Sequence, residues 1–218
     1  MGVGGSSFDS GMVDGDGVVR IGSVVFALIR PTPGHELAFN HWYERDHYYT
    51  TGTAAPGVFS AARFVQPKTG WHLALYLVLP GFDAARVAFA TEQTTVAAAE
   101  DRLFTAREHL HTWTYEVEAA TVGVDGVPPA LALDHRYPAI TAALFDEEPS
   151  SRGGPSLTLR PVQAVMPSEW EGEIDVTRRR TVVEFHDDPA DSVRPGSVWS
   201  GAFVPVVFGT DTHITQTP

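Results

Sequence analysis

The chain of 218 residues has no cysteine and a single lysine, Lys68. Without cysteine there are no disulfides, no thiolate-bound zinc and no thiol nucleophile. Fourteen Arg and that one Lys face 27 acidic residues, for a formal charge of −12. So acidic a balance argues against nucleic acid or an anionic membrane surface as partner, since both call for clustered positive charge. The one basic run, Arg178-Arg179-Arg180, reads as the exposed start of a strand. No apolar run approaches the roughly 18 residues needed to cross a bilayer. The longest, LALYLVLP from Leu73 to Pro80, is the length of a strand. No basic segment followed by an apolar core opens the sequence, so no signal peptide is expected and the cytoplasm is the simplest location. HExxH, EF-hand and strand-following GxGxxG patterns are all missing, and the early GVGGSS follows no strand. His41, Glu44 and His47 lie on one expected helix, but the two histidines are roughly 120° apart around it. Neither a metal nor another cofactor is therefore expected.

Hydrophobic residues make up 43% of the chain, enough for a packed core. Residues 1–18 are rich in Gly, Ser and Asp and read as a disordered tail. A buried strand is expected in IGSVVFALIR, stopped by Pro31 and Pro33. A helix follows from about Glu36 to Thr50, then a Pro56-Gly57 turn, a strand from Val58 to Gln66 and another from Trp71 to Leu79. An Ala-rich helix starts at Asp83 and runs to about Glu108, and Leu110 to Ala120 alternates as a fourth strand. This order, β-α-β-β-α-β over residues 19–120, is that of a ferredoxin-like unit with helices on one face of its sheet. A linker is expected over residues 121–137. Residues 138–218 read as a second, degenerate β-rich half with strands at Ala139–Phe145, Leu157–Val165, Arg179–His186 and Ala202–Phe208. The fold class is α+β. The second half is expected to cover the open sheet face and form an α+β barrel, either within one chain or as an appendage to a unit that pairs with another subunit.

The chemistry concentrates in FNHWYERDHYYTTGTAAPGVFSAARFV, from Phe39 to Val65. Phe39, Trp42, Tyr43, Asp46, His47 and Thr50 follow helical spacing. An acid and an imidazole on an apolar stripe need a local reason, because unpaired burial is costly. Tyr43 and His47 are about 40° apart on an α-helix and can share a pocket. A neutral His suits general-base work near neutral pH, although a cap at the helix C-terminus is the plainer role for His47. Asp46 is expected to pair with Arg63 or a backbone donor. In the third strand, Trp71, Leu73, Leu75, Leu77 and Leu79 form an apolar face expected to pack on the helices. His72, Ala74, Tyr76 and Val78 form the other face, expected to line a cavity inside the barrel. In the fourth strand His111, Trp113, Tyr115 and Val117 lie together. The tyrosine hydroxyls suit an oxyanion or a substrate oxygen. Arg63 suits either a carboxylate clamp or an ion pair. The reading with the most chemistry makes His47, Tyr43 and Tyr76 catalytic, with His72, Trp42, Arg63, Trp113, Tyr115 and Asp46 binding the substrate.

Asn40-His41-Trp42-Tyr43-Glu44-Arg45-Asp46-His47, Pro56-Gly57-Val58 and Ala62-Arg63-Phe64 together resemble the pattern of EthD-like members of the dimeric α+β barrel superfamily. The likeness covers roughly residues 20–120, and Tyr43 and His47 match its helix positions most clearly. It implies two ferredoxin-like units packed sheet to sheet around a cavity, and leaves both a homodimer and closure within one chain open. It also implies a small-molecule enzyme without a cofactor: a dehydratase, cyclase or isomerase acting on a hydrophobic, oxygenated substrate. A cofactor-free monooxygenase and a non-catalytic carrier or interaction module are the alternatives. More distant members bind haem, but no axial His stands out here.

Overall fold

The computed structural model describes residues 18–123, 126–135, 137–149, 154–162, 179–187 and 194–214. The expected N-terminal tail, apart from Val18, and Arg178 of the basic run lie outside them. The described elements are β1 (Ser23–Pro31), α1 (Glu36–Trp42), a π-helical segment (Tyr43–Gly52), β2 (Val58–Gln66), β3 (Trp71–Val78), α2 (Asp83–Ala99) and β4 (Arg107–Thr121). One 3₁₀ turn (Pro129–Leu131) precedes β5 (Ala139–Phe145), β6 (Ser156–Pro161), β7 (Arg180–His186) and β8 (Trp199–Pro205). The second helix ends at Ala99, well short of the expected Glu108, where Asp101 turns to φ 54°. None of the helices is long and apolar enough to cross a membrane.

All eight strands join one closed antiparallel barrel in the order β1-β3-β2-β8-β5-β7-β6-β4. The first half contributes β4-β1-β3-β2, the ferredoxin-like order. The second contributes β8-β5-β7-β6, which is the same 4-1-3-2 order when its strands are counted from β5. Two seams close the ring within one chain. The β4–β6 seam pairs along six positions, and the β2–β8 seam pairs only Phe64 with Pro205 and Val65 with Val204. The first half spends residues 32–57 and 79–106 on its crossovers, which hold the helices. The matching crossovers of the second half, 146–155 and 187–198, are too short for a helix the length of α2.

The pleat sorts side chains strictly, and it reverses the expected faces. Leu73, Leu75 and Leu77 point into the barrel, where they meet Val24, Phe26, Leu28, Ile140, Leu157, Leu159, Val183 and Phe203. That interior is packed with apolar side chains around these residues, where a cavity was expected. His72, Ala74, Tyr76 and Val78 point outward, to the helices, and pack with Val25, Ala27, Ile29, Phe39 and Tyr43. A leucine-rich face marks burial, but both faces of this sheet are covered. The all-apolar face went to the larger enclosure.

A C-terminal strap ties the barrel to α1. Val206 N–H donates to the Arg63 carbonyl at 2.9 Å, and Gly209 N–H to Glu44 Oε2 at 2.9 Å. Asn40 Nδ2 donates to Asp211 Oδ1 at 2.9 Å, and His41 Nε2 lies 3.0 Å from the same oxygen. His41 and Glu44 are thereby occupied in holding the strap. Among the described residues no group of three or more His, Asp or Glu could hold a metal ion.

Candidate active site outside the barrel

Chain geometry builds the site where α1 changes pitch. From Tyr43 to Gly52 the backbone winds as a π-helix, whose i→i+5 bonds place residues five apart above one another. Trp42 and His47 consequently stack, with ring centroids 4.7 Å apart and planes 22° from parallel. A regular α-helix would have turned these two residues well apart. Tyr43 meets the His47 ring edge-on at 5.1 Å. The wide segment ends at Gly52, which lies against Tyr76. A Cβ there would sit 2.6 Å from Tyr76 Cε1 and 3.0 Å from its hydroxyl. Gly52→Ala is therefore expected to cost about 1–3 kcal/mol by overpacking a fixed ring. Urea unfolding measures this, and a loss below about 0.5 kcal/mol would mean the ring swings aside freely.

These groups surround a narrow pocket of about 70 Å³ between the outer face of the sheet and the helices. Its walls are Val25, Ala27 and Ile29 of β1, Tyr76 of β3, Trp42, Tyr43, His47 and Thr51 of the first helical stretch, and Arg86, Ala90 and Thr94 of α2. Arg107, His109 and Thr112 of β4 close it. The volume holds a few waters or a small molecule. Tyr43 and Tyr76 join hydroxyl to hydroxyl in a short hydrogen bond at its base. Burial pushes Tyr43 up to about 12, with the Tyr76 hydrogen bond and the Arg63 charge opposing. Tyr76 rises well above the ordinary phenol range through burial and its tyrosine neighbour. Both phenols are protonated at neutral pH, so one shares its proton within the pair and the other proton is free to be donated.

Burial, then the Arg107 charge, pushes His47 down to about 3, although the ring keeps some exposed surface that moderates the fall. His109 drops to about 4 for the same two reasons. Arg107 Nε donates to His109 Nε2 at 3.2 Å, which leaves His109 Nδ1–H to donate to Thr112 Oγ1 at 3.0 Å. The Arg107 guanidinium also lies 4.8 Å over the Trp42 ring, and burial lowers it to about 10. Arg86 is 5% exposed and gives one hydrogen bond, from Nη2 to Thr114 Oγ1 at 2.7 Å. Among the described residues no Asp or Glu lines the pocket.

The structure gathers Tyr43, His47, Tyr76 and Trp42 around this space. His72 sits on the same sheet face but under Phe39, 4.9 Å away, with Nδ1 buried and unpartnered. Trp113 and Tyr115 are on the opposite face, inside the barrel, where the Tyr115 hydroxyl lies 2.9 Å from His111 Nε2. Asp46 pairs with Arg102 at 2.7 Å, not with Arg63, and receives Thr50 Oγ1 at 3.1 Å. Arg63 takes the ion-pair role: it bonds Asn40 and, at 3.1 Å, Glu44, and it lies 4.5 Å over the Tyr43 ring. Sequence reasoning missed Arg86, Arg107, His109 and Gly52. One signal was available, since Arg86 stands four residues before buried Ala90 in the apolar stretch AARVAFA. A larger cleft of about 550 Å³ opens at the short β2–β8 seam, but Arg63, already ion-paired, is the one charged residue of its lining.

No family model matches the chain, and no curated protein does either. Among solved structures it is similar to a Fusobacterium nucleatum protein provisionally described as a monooxygenase, at 9% identity and a TM-score of 0.48. That likeness covers 87% of this chain and 94% of the other. A Listeria innocua protein described as a hydrolase follows at 7% identity and a TM-score of 0.22, covering 77% and 88%. Likenesses this distant carry no argument about activity.

Proposed function

We propose that the chain is a cofactor-independent enzyme of the dehydratase, cyclase or isomerase type, resembling EthD-like proteins. It acts on a hydrophobic, oxygenated small molecule held outside the barrel, between sheet and helices. The observation that carries this reading is the buried Tyr43–Tyr76 hydroxyl pair facing a neutral, stacked His47 across a pocket without a carboxylate. A substrate carbonyl would accept the free phenol proton as a hydrogen bond. Negative charge developing on that oxygen is stabilised by a donor already aimed and desolvated. His47 would take the proton from the adjacent carbon and return it to another position or to a departing hydroxide. With so low a proton affinity, it works only on a carbon acid that the phenol has already polarised.

The test is turnover of a panel of cyclic and aromatic β-hydroxy and β-keto compounds. Loss of the base or of the donor lowers such reactions roughly 100- to 10,000-fold. His47→Ala and Tyr76→Phe are each expected to fall in that range in kcat while keeping the wild-type circular dichroism. Full activity in His47→Ala would remove the imidazole from the mechanism. Oxygen uptake in step with substrate loss would transfer the site to the monooxygenase reading.

A further inference from the structure

Two guanidinium groups line the pocket. Arg86 leaves Nε buried and without a hydrogen-bond partner, and Arg107 does the same with Nη1. Neither is ion-paired among the described residues. Asp83 is the carboxylate that acts on Arg86 through charge, and it is itself engaged as the acceptor for Ser23 Oγ. The Glu44 carboxylate is held by Arg63 and the strap, and Asp46 by Arg102. A chain of formal charge −12 has carboxylates to spare, yet among the described residues none lines this space. Burying cations unpaired is costly, so such an arrangement is destabilising unless something else supplies the charge. The remaining walls are apolar or aromatic, with neutral phenols and imidazoles between them.

We infer that the pocket binds a small apolar organic carboxylate, its charge met by the unpaired Arg86 and Arg107 that line the pocket and its hydrocarbon part against Trp42, Val25 and Ile29. The inference rests on the reading that this pocket is the ligand site, and it adds the charge of the ligand. Planar guanidinium groups suit a carboxylate because each N–H direction is fixed. Arg107 is also held in place by Trp42 beneath it and His109 beside it.

Isothermal titration of the full chain at pH 7 with benzoate and cyclohexanecarboxylate, each against its uncharged amide, tests this. The acids are expected to bind at least 10-fold more tightly than the amides. In Arg107→Met and in Arg86→Met that preference should shrink to within about 3-fold, and Arg107→Lys should recover part of it. Equal binding of acid and amide by the wild type, binding of neither, or an undiminished preference in both Met variants would each overturn the inference. If a Met variant does not fold, the wild-type comparison decides alone. Tyr76→Phe separates this inference from the proposed reaction. It should keep the acid preference while losing turnover, so failure of one leaves the other standing.

Discussion

Lowering the pH from 7 to 5 is expected to cost the folded protein about 4 kcal/mol of stability. Most of this comes from two fully buried imidazoles that folding keeps neutral, with His47 and His109, which keep some exposed surface, adding less. His72 is 2% exposed and is pushed down to about 3, first by burial and then by the Arg63 charge. His111 is 1% exposed, and burial alone takes it to about 4. In the unfolded chain both titrate near 6.5. Above that value neither state binds a proton at these sites and nothing depends on pH. Below it the unfolded chain takes up protons that the folded chain refuses, so stability falls at about 1.4 kcal/mol per pH unit for each ring. By pH 5 that is about 2 kcal/mol from each, and the decline continues until the folded values near 3 and 4 are reached. Urea unfolding at the two pH values measures the difference. His72→Leu should remove about 2 kcal/mol of it, the share of the ring that burial holds neutral. A flat stability profile between pH 7 and 5 would mean that both rings reach water.

Leu75→Ala is expected to destabilise the protein by about 2–5 kcal/mol while leaving ligand binding in the pocket unchanged. Leu75 is fully buried between Phe26 of β1 and Ala62 of β2, with its side chain in the barrel interior. Interiors of this kind are close-packed, so the neighbours relax only partly into the space left behind. The pocket lies across the sheet, on the Ala74 and Tyr76 side. Denaturation midpoints measure the first effect and titration with a bound carboxylate the second. A cost below about 1 kcal/mol would show that the barrel interior has room to spare.

Strand positions were legible because alternation and turn chemistry agree. Val58–Gln66 and Ala139–Phe145 fall where their patterns place them, the first of them between the turns at Pro56-Gly57 and Pro67–Gly70. In the second half β7 also falls where expected, β8 lies three residues ahead of the expected Ala202–Phe208, and residues 163–165 of the expected Leu157–Val165 lie outside the described residues. The direction each face points was not legible, because Leu73, Leu75 and Leu77 are equally content against helices or against another sheet. Helical pitch was illegible too. Spacing arguments assume 3.6 residues per turn, and the π-helical Tyr43–Gly52 changes which rings meet. The pairing of Tyr43 with His47 survived that change, while the stacking of Trp42 on His47 depended on it. Arg86 and Arg107 stand 21 residues apart in the sequence, and both line the pocket only because α2 packs over the sheet.

The repeated 4-1-3-2 strand order carries one more implication. Two copies of a helix-covered unit facing each other would be symmetric and would present two equivalent chambers. Here the crossovers of one copy have shrunk to 146–155 and 187–198, while the other copy keeps α1, its π-helical continuation and α2. The pseudo-dyad survives in the backbone and is broken in the layer above it. Among the described residues, the helix-lined pocket therefore belongs to one copy of the repeat alone, and the other copy contributes strands to the shared barrel.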